Sequence, residues 1–341
     1  MTKRLLLSLL MLLILRGGLL YAQDPMFTQF YASPLQLNPA FAGSAMAPFV
    51  ALNYRMQYPS QTGTGAAYST FAASYDQHFS GLNSGIGISL MTDDAGQGIL
   101  RKTYASVHYS YKVESKNGIS TRLGIEGGFI QNNLDWDKLI FPDQLDPIEG
   151  PTFLDGTKRP TTETRPLANT RTNFDISMGL VVYGAGFHGG FVAKHLTTPE
   201  ESFFGTERNL TLGLPVRWTL HGGYEFILQK ATRYKPATFI SPTLMAVKQG
   251  PFAQVIGGAY LGMGAIVSGF WYRHAYTTPE SIIFMVGFKQ DYFKVGYSYD
   301  YTVGGQLSGR TGGSHEISLT LNLDPGAAKR VDMSNCFKMF R

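Results

Sequence analysis

Cysteine is almost missing from this chain: Cys336 is the only one in 341 residues. A single thiol closes no internal disulfide and anchors no metal set, so disulfide-stapled and zinc-ribbon architectures are excluded. No cysteine stands near residue 23, which argues against lipidation of an exported N-terminus. Charge is scarce as well. Lys, Arg, Asp and Glu make up 16% of the chain, against about 25% in a typical soluble domain. The net formal charge of +5 is scattered without a basic stripe, which gives nucleic-acid binding no support. After the first two dozen residues there is no run approaching the ~20 apolar residues of a spanning helix. There is no H-E-x-x-H, no G-x-S-x-G elbow and no phosphate-binding glycine loop. Gly262-Met263-Gly264 lacks the third glycine at the right distance. His78, His108, His188, His195, His221, His274 and His315 are spread apart, with no two at metal-ligand spacing. No catalytic residue, metal or cofactor is expected. His315 beside Glu316 reads as a hydrogen bond at a strand start, because a pair without a nucleophile is weak evidence for chemistry.

Glycine and aromatics are abundant: 39 Gly, 19 Tyr and 23 Phe. Mean hydropathy is nevertheless near zero. That combination suits strands that turn apolar residues to lipid and polar ones to a lumen. The expected fold is all-β, a transmembrane antiparallel barrel of roughly fourteen strands, with a soluble all-β protein as the competing reading. Lys3 and Arg4 precede an apolar core, Leu5 to Leu15, and Ala22 offers a cleavage site before Gln23. Residues 1–22 therefore read as a secretory signal, and an uncleaved anchor is the alternative. Residues 23–48 lack a strand period and read as a plug or periplasmic segment. Residues 49–323 form the barrel and 324–341 a polar, basic periplasmic tail.

Two-residue alternation is clear over Val50–Gln57, Thr103–Val113, Thr121–Phe129, Phe174–Val182 and Ile317–Leu323. Weaker strands fall near 66–76, 84–91, 187–197, 215–227, 239–248, 252–261, 265–273, 282–290 and 292–301. Lys116-Asn117-Gly118 is a hairpin signal. Asp93-Asp94-Ala95-Gly96 and Val303-Gly304-Gly305 read as loops. Residues 135–170 carry five prolines and no strand period. They read as one long loop, extracellular or folded into the lumen, and either functional or disordered.

With apolar faces to lipid, Arg55, Arg122, Glu126, Asp175, Asp300 and Glu316 line the lumen. They can form a structural network or a selectivity ring for a solute. Asp300 and Glu316 stand on strands joined by one loop, and a cation such as Arg310 would ease their mutual repulsion. Tyr297, Tyr299 and Tyr301 share one outward face, as in an aromatic girdle. Asn38-Pro39 biases the chain to a turn, and Gly43 permits an unusual backbone angle.

Several segments taken in order resemble one family. They are Gln23-Asp24-Pro25-Met26-Phe27-Thr28-Gln29-Phe30-Tyr31, Leu37-Asn38-Pro39-Ala40-Phe41-Ala42-Gly43 and Tyr54-Arg55-Met56-Gln57. Ser74-Tyr75-Asp76, Gly85-Ile86-Gly87, Gly296-Tyr297-Ser298-Tyr299-Asp300 and Gly313-Ser314-His315-Glu316-Ile317 follow. Together they resemble the PorP/SprF family of type IX secretion system membrane proteins over essentially the whole mature chain. The family's tail often has a cysteine followed by proline, whereas Phe337 follows Cys336 here. The resemblance implies an outer-membrane barrel in contact with lipid. Its partners would be periplasmic secretion components, or one large secreted adhesin with a C-terminal targeting domain, in adhesion or gliding. Asp24, Pro25, Gln29, Tyr31, Asn38, Pro39 and Gly43 are the plug or interface residues to follow. A porin-like or apolar-solute transporter is the runner-up, and an outer-membrane hydrolase comes third.

Overall fold

The computed structural model describes residues 24–45, 47–59, 67–148, 150–204, 213–230, 232, 237–275, 280–290, 292–303 and 312–323. Their strands are β1 (Phe49–Gln57), β2 (Tyr68–Phe79), β3 (Ser84–Ala95), β4 (Leu100–Glu114), β5 (Ser120–Leu134), β6 (Thr170–Tyr183), β7 (Phe187–Lys194) and β8 (Arg217–Tyr224). Then come β9 (Phe226–Gln229), β10 (Thr238–Gln249), β11 (Phe252–Met263), β12 (Ile266–Ala275), β13 (Glu280–Lys289), β14 (Phe293–Val303) and β15 (Ser314–Asn322). Apart from β8 and β9, which both pair with β10, each pairs antiparallel with its neighbours in sequence; β10 also pairs with β11, and β1 pairs with β15. The sheet therefore closes on itself. Closure removes the edges and satisfies the backbone groups that hydrocarbon cannot. β8 and β9 are one strand interrupted at Glu225, both pairing with β10, so fifteen strands fill fourteen positions. No helix among the described residues is long and apolar enough to cross a membrane.

The alternation read in the sequence becomes an inside and an outside. In β1, Ala51, Asn53 and Arg55 are buried inward while Tyr54 is exposed. In β4, His108 and Ser110 are buried while Val107, Tyr109 and Tyr111 face out. Outward aromatics gather near both ends of the strands: Phe79, Tyr111, Tyr224 and Phe288 at one rim, Tyr68, Phe174, Trp218 and Tyr301 at the other. The rims differ in their connections. At one, the links between strands are short, as at 80–83, 115–119, 184–186 and 264–265. At the other lie the long links 135–169 and 195–216. Below, these are the turn rim and the loop rim.

Three sequence expectations need correction or relocation. Asp93, Asp94 and Ala95 are strand rather than loop, and the turn begins at Gly96. Asp93 and Asp94 sit opposite Lys102 and Arg101 in register, with Arg101 Nη2 3.0 Å from Asp94 Oδ2, and opposite charges across a ladder stabilise it. Val303 ends β14, and residues 304–305 lie outside the described ones. Not all lumen-facing positions are polar. β10 to β13 turn Met245, Val247, Ile256, Tyr260, Trp271, Ile283 and Met285 inward, in one apolar cluster with Phe30, Tyr31, Leu37 and Phe41.

The long link 135–169 folds on itself. Short 3-10 turns span Trp136–Lys138 and Pro142–Gln144, and isolated bridges join Asp146 to Gly150 and Thr152 to Lys158. Asp143 accepts hydrogen bonds from Thr161 and Thr162, and Arg165 pairs with Asp137. Arg159 lies over the ring of Phe153 at 4.5 Å.

Candidate functional site

Residues 24–45 are the part of the chain on which most inward side chains converge. Their local form follows from two prolines. Pro34 opens a one-turn α-helix, Pro34–Leu37, where its missing N–H costs nothing. Pro39 opens a 3-10 turn, Pro39–Phe41, capped by the Asn38 side chain, which accepts from Ala40 N at 2.9 Å. Asn38 also donates to Leu180 O and meets His221 Nε2, both at 3.2 Å. The segment starts among residues of the loop rim and reaches β1 at the turn rim, so it runs the length of the barrel with its side chains against the inner wall. The wall differs by side. Phe30, Tyr31 and Phe41 lie in the apolar cluster of β10 to β13, with Tyr31 4.8 Å from the Tyr260 ring. Thr28 and Gln29 turn instead to the polar side chains of β1, β14 and β15.

Two clasps hold the loop-rim half. In the first, Glu316 accepts the backbone N–H groups of Thr28 and Gln29 at 2.7 and 2.8 Å. The Thr28 hydroxyl donates to Asp300 at 2.8 Å. Arg55 reaches Asp300 at 2.9 Å and Glu316 at 3.0 Å, and Arg273 reaches Asp300 at 3.0 Å. Two guanidiniums thus balance two carboxylates; Arg55, Asp300 and Glu316 are deeply buried and Arg273 partly so. The cation between the carboxylates is Arg55, because closure makes Arg55 the register partner of Glu316; Arg310 lies outside the described residues. The Gln29 side chain continues the set, donating to Ser298 and to the Glu316 carbonyl and accepting from Ser318 and Tyr31.

In the second clasp, Asp24 meets His195 Nε2 at 2.6 Å, Gln249 Nε2 at 3.0 Å and Arg217 Nη1 at 3.2 Å. His195 Nδ1 turns to Asp175 at 2.8 Å. Burial raises the Asp24 carboxyl, but His195 and Arg217 outweigh it and hold it well below the usual carboxylate range. Burial pulls the His195 imidazole down, and the carboxylates of Asp24 and Asp175 outweigh that, pushing its pKa up to about 9. Pro25, next along, lines a space with Met26, Phe27 and Arg217.

At the turn rim the tether is a close approach of backbones. Gly43 has φ +59°, and a Cβ there would lie 2.5 Å from the Gly85 Cα. Gly43 N donates to Asp76 at 2.8 Å, and Arg122 donates to the carbonyls of Ala42 and Gly43, each at 2.9 Å.

The six inward charges named in the sequence are therefore not one ring. Arg55, Asp300 and Glu316 form the first clasp, Asp175 backs the second, and Arg122 holds the turn-rim tether. Glu126 pairs with Lys194 at 3.1 Å, apart from the segment. Tyr297, Tyr299 and Tyr301 run as a stripe along β14 rather than around the barrel, since alternate residues rise about 6.7 Å along a strand. Tyr297 shares a hydrogen bond with His315 at 2.8 Å. Sequence reading missed Thr28, His195, Arg217, Gln249 and Arg273. Arg273 alone carried a signal, a charge in an otherwise apolar stretch.

Among the described residues no group of His, Cys, Asp and Glu could hold a metal. The clasps join charged and polar side chains of the wall to the backbone and side chains of the segment, a geometry suited to holding chain.

Comparison with known proteins gives the following. The family model described as type IX secretion system membrane protein PorP/SprF matches residues 19–321. The comparison with curated proteins returned no match. Among solved structures, the toluene transporter TodX of P. putida is similar at 10% identity and a TM-score of 0.48, covering 84% of this chain and 92% of its own. A mutant of the Rh. blastica porin is similar at 6% identity and a TM-score of 0.35, covering 81% and 98%.

Proposed function

The chain belongs to the PorP/SprF family of type IX secretion system membrane proteins, and from that premise we propose that it is a docking barrel of the outer membrane whose working surfaces are its two rims. The observation that carries this reading is the set of contacts that residues 24–45 make with the inner wall. Residues 24–45 are clasped by buried ion pairs near one rim and by Arg122 and Asp76 near the other, as a plug would be. A barrel filled in this way offers its ends to partners.

Short turns of such barrels face the periplasm and longer loops face outward. On that rule the turn rim faces the secretion machinery and the loop rim faces the surface; the tail 324–341, proposed to be periplasmic, lies outside the described residues. At the loop rim the link 135–169 is held in shape by its own hydrogen bonds, yet Ile148 and Leu154 are 94% and 93% exposed. We take these two side chains, carried on a link rather than on a strand, as the candidate protein contact of this rim. They fit a secreted adhesin better than a small solute. A cleaved signal fits as well: Asp24 lies at the loop rim, far from the compartment in which signals are removed, so residues 1–22 are proposed to be gone before the segment is seated. Sequencing the mature protein is then expected to read from Gln23, and retention of Met1 would refute this part.

The docking role is tested by Ile148→Asp with Leu154→Asp in a cell that displays its adhesins. Loss of one surface protein, with bulk type IX secretion unchanged and the barrel still heat-modifiable on a gel, is the expected result. Normal display of every surface protein would remove the loop-rim role. Loss of all type IX export on gene deletion would move the function to the core machinery.

A further inference from the structure

We propose that the C-terminal tail of the chain adds as a short strand to the open edge of β9 and so straps the turn-rim mouth of the lumen. This inference depends on the barrel and not on the secretion role.

The open edge arises where one strand outlasts its neighbour. β7 starts just after the turn 184–186. Its rung at that end sets Phe187 opposite Tyr224, and Glu225 N donates to Gly186 O at 2.7 Å. β10 and β11 run past that level to Thr238 opposite Met263. β9 follows them, with Phe226, Ile227 and Gln229 opposite Ile240, Phe239 and Thr238. It is therefore paired along one side, and among the described residues no strand pairs with its other side. A bare edge presents N–H and C=O groups in strand geometry, a template for another extended backbone. Nothing in this one deters pairing. Phe226, Ile227, Leu228 and Gln229 include no lysine, proline or acid, the residues that keep edges apart. The three apolar side chains are 51%, 53% and 62% exposed. Lipid does not account for Ile227. It stands opposite Phe239, which packs on the lumenal apolar cluster, so it is turned to the mouth of the barrel.

The occupant is argued from what leaves the barrel at the same rim. Leu323 N donates to Pro48 O at 3.0 Å, beside the rung of Asn322 and Phe49. Residues 324–341 follow it and lie outside the described ones. In their sequence, Pro325 and Gly326 break the run of β15. Val331, Met333, Phe337 and Met339 then alternate with Asp332, Ser334, Cys336 and Lys338, the period of a strand apolar on one face. The reach is sufficient. β9 stands nearly opposite β15 around the wall. Fourteen positions about 4.8 Å apart and tilted by about 40° make a barrel about 28 Å across. Residues 324–332 span about 30 Å when extended, which delivers 333–340 to β9 across the mouth. A tethered strand meets its edge at an effective concentration on the order of millimolar, above that of a partner free in solution.

Cys336 is the only native thiol, so the purified full-length protein supplies its own probe. Phe226→Cys, Ile227→Cys, Leu228→Cys and Gln229→Cys are made singly and oxidised. Asn117→Cys is the control: it is exposed in another turn of the same rim, between strands that stand nearer to β15 than β9 does. The expected result is a disulfide within one chain, read as a monomer with both thiols lost, at one or two of the four positions and not at the control. Such selectivity follows because the bond needs Cα atoms about 4.4–6.8 Å apart. Hydrogen exchange of the amides of 226–229 gives a second readout that needs no cysteine variant to fold. It is expected to quicken about tenfold in Met333→Pro with Phe337→Pro, because proline cannot donate to a ladder. Those two positions lie beyond β15, outside the barrel wall. Cross-linking at all five positions alike would show a loose tail, and disulfide-linked dimers would give the edge to a second copy. Amides at 226–229 that exchange alike with and without the prolines would show that the tail is not on the edge. Each of these outcomes would overturn the proposal.

Discussion

The two clasps on the lumenal segment do one job with different chemistry. Around Thr28 every cation is a guanidinium, and Arg55, Asp300 and Glu316 are brought together by strand register and barrel closure. Around Asp24 the central cation is an imidazole just beyond the end of β7, at φ +60°, held from the other side by Asp175. The first clasp is therefore as permanent as the barrel. The second depends on a loop residue and on a proton. The segment is fixed in mid-lumen and conditionally fixed at the loop rim.

The largest effect should come from breaking the permanent clasp. Arg55→Met leaves Asp300 and Glu316 buried with one guanidinium between them. Removing one partner of a buried ionic set costs about 3–5 kcal/mol, so urea unfolding in detergent should shift by that order. Arg55→Lys should recover only part, because an ammonium cannot span both carboxylates as a planar fork does.

The conditional clasp should respond to pH. His195 is raised from its ordinary 6.5 to about 9, so its contribution is fully present below about pH 6.5 and is lost as pH rises through about 9. Asp24 is depressed, so its contribution is present above its ordinary 3.8 and is lost as pH falls below that. Together the clasp holds best from about pH 4 to 6.5, with on the order of 2–3 kcal/mol at stake at the alkaline edge. A spin label at Met26→Cys, in a Cys336→Ser background, should become mobile between pH 6.5 and 9.5. In His195→Gln it should be mobile throughout. A label equally immobile across that range would show that the two clasps do not differ.

A smaller effect separates both clasps from the neutral tether further along the segment, at Asn38. Asn38→Ala removes the cap on Ala40 and the bond to Leu180, at a cost of about 1–2 kcal/mol. That loss should be independent of pH between 5 and 9 when followed by the same unfolding assay.

The strands that alternated cleanly in sequence, such as β1, β4 and β15, have a mostly small or polar inner face: Ala51, Asn53 and Arg55 in β1, His108 and Ser110 in β4, Glu316, Ser318 and Thr320 in β15. Among the strands that read less cleanly, β10 to β13 also turn apolar residues inward, against the segment's side chains. In these four, period two is blurred because a second apolar surface is packed inside. Asp93 and Asp94 misled because acidic pairs are turn formers unless a facing Lys and Arg hold them in a ladder. Within the site, Glu316 and Asp300 were legible as inward residues. Their true cation was hidden by sequence distance, although a closed barrel must pair its first strand with its last, which places Arg55 there. His195 was not legible. It lies just outside a strand, and its partners Asp24 and Asp175 come from two other regions of the chain.

The central claim is that residues 24–45 fill the lumen, so that the barrel works at its rims rather than as an open pore. Conductance of the purified protein in a planar lipid bilayer tests this most directly, with the wild type beside a variant lacking residues 24–45. The account predicts no steady current through the wild type and a steady, ion-conducting opening in the deletion variant. A steady, ion-selective current through the wild type, unchanged by the deletion, would contradict it.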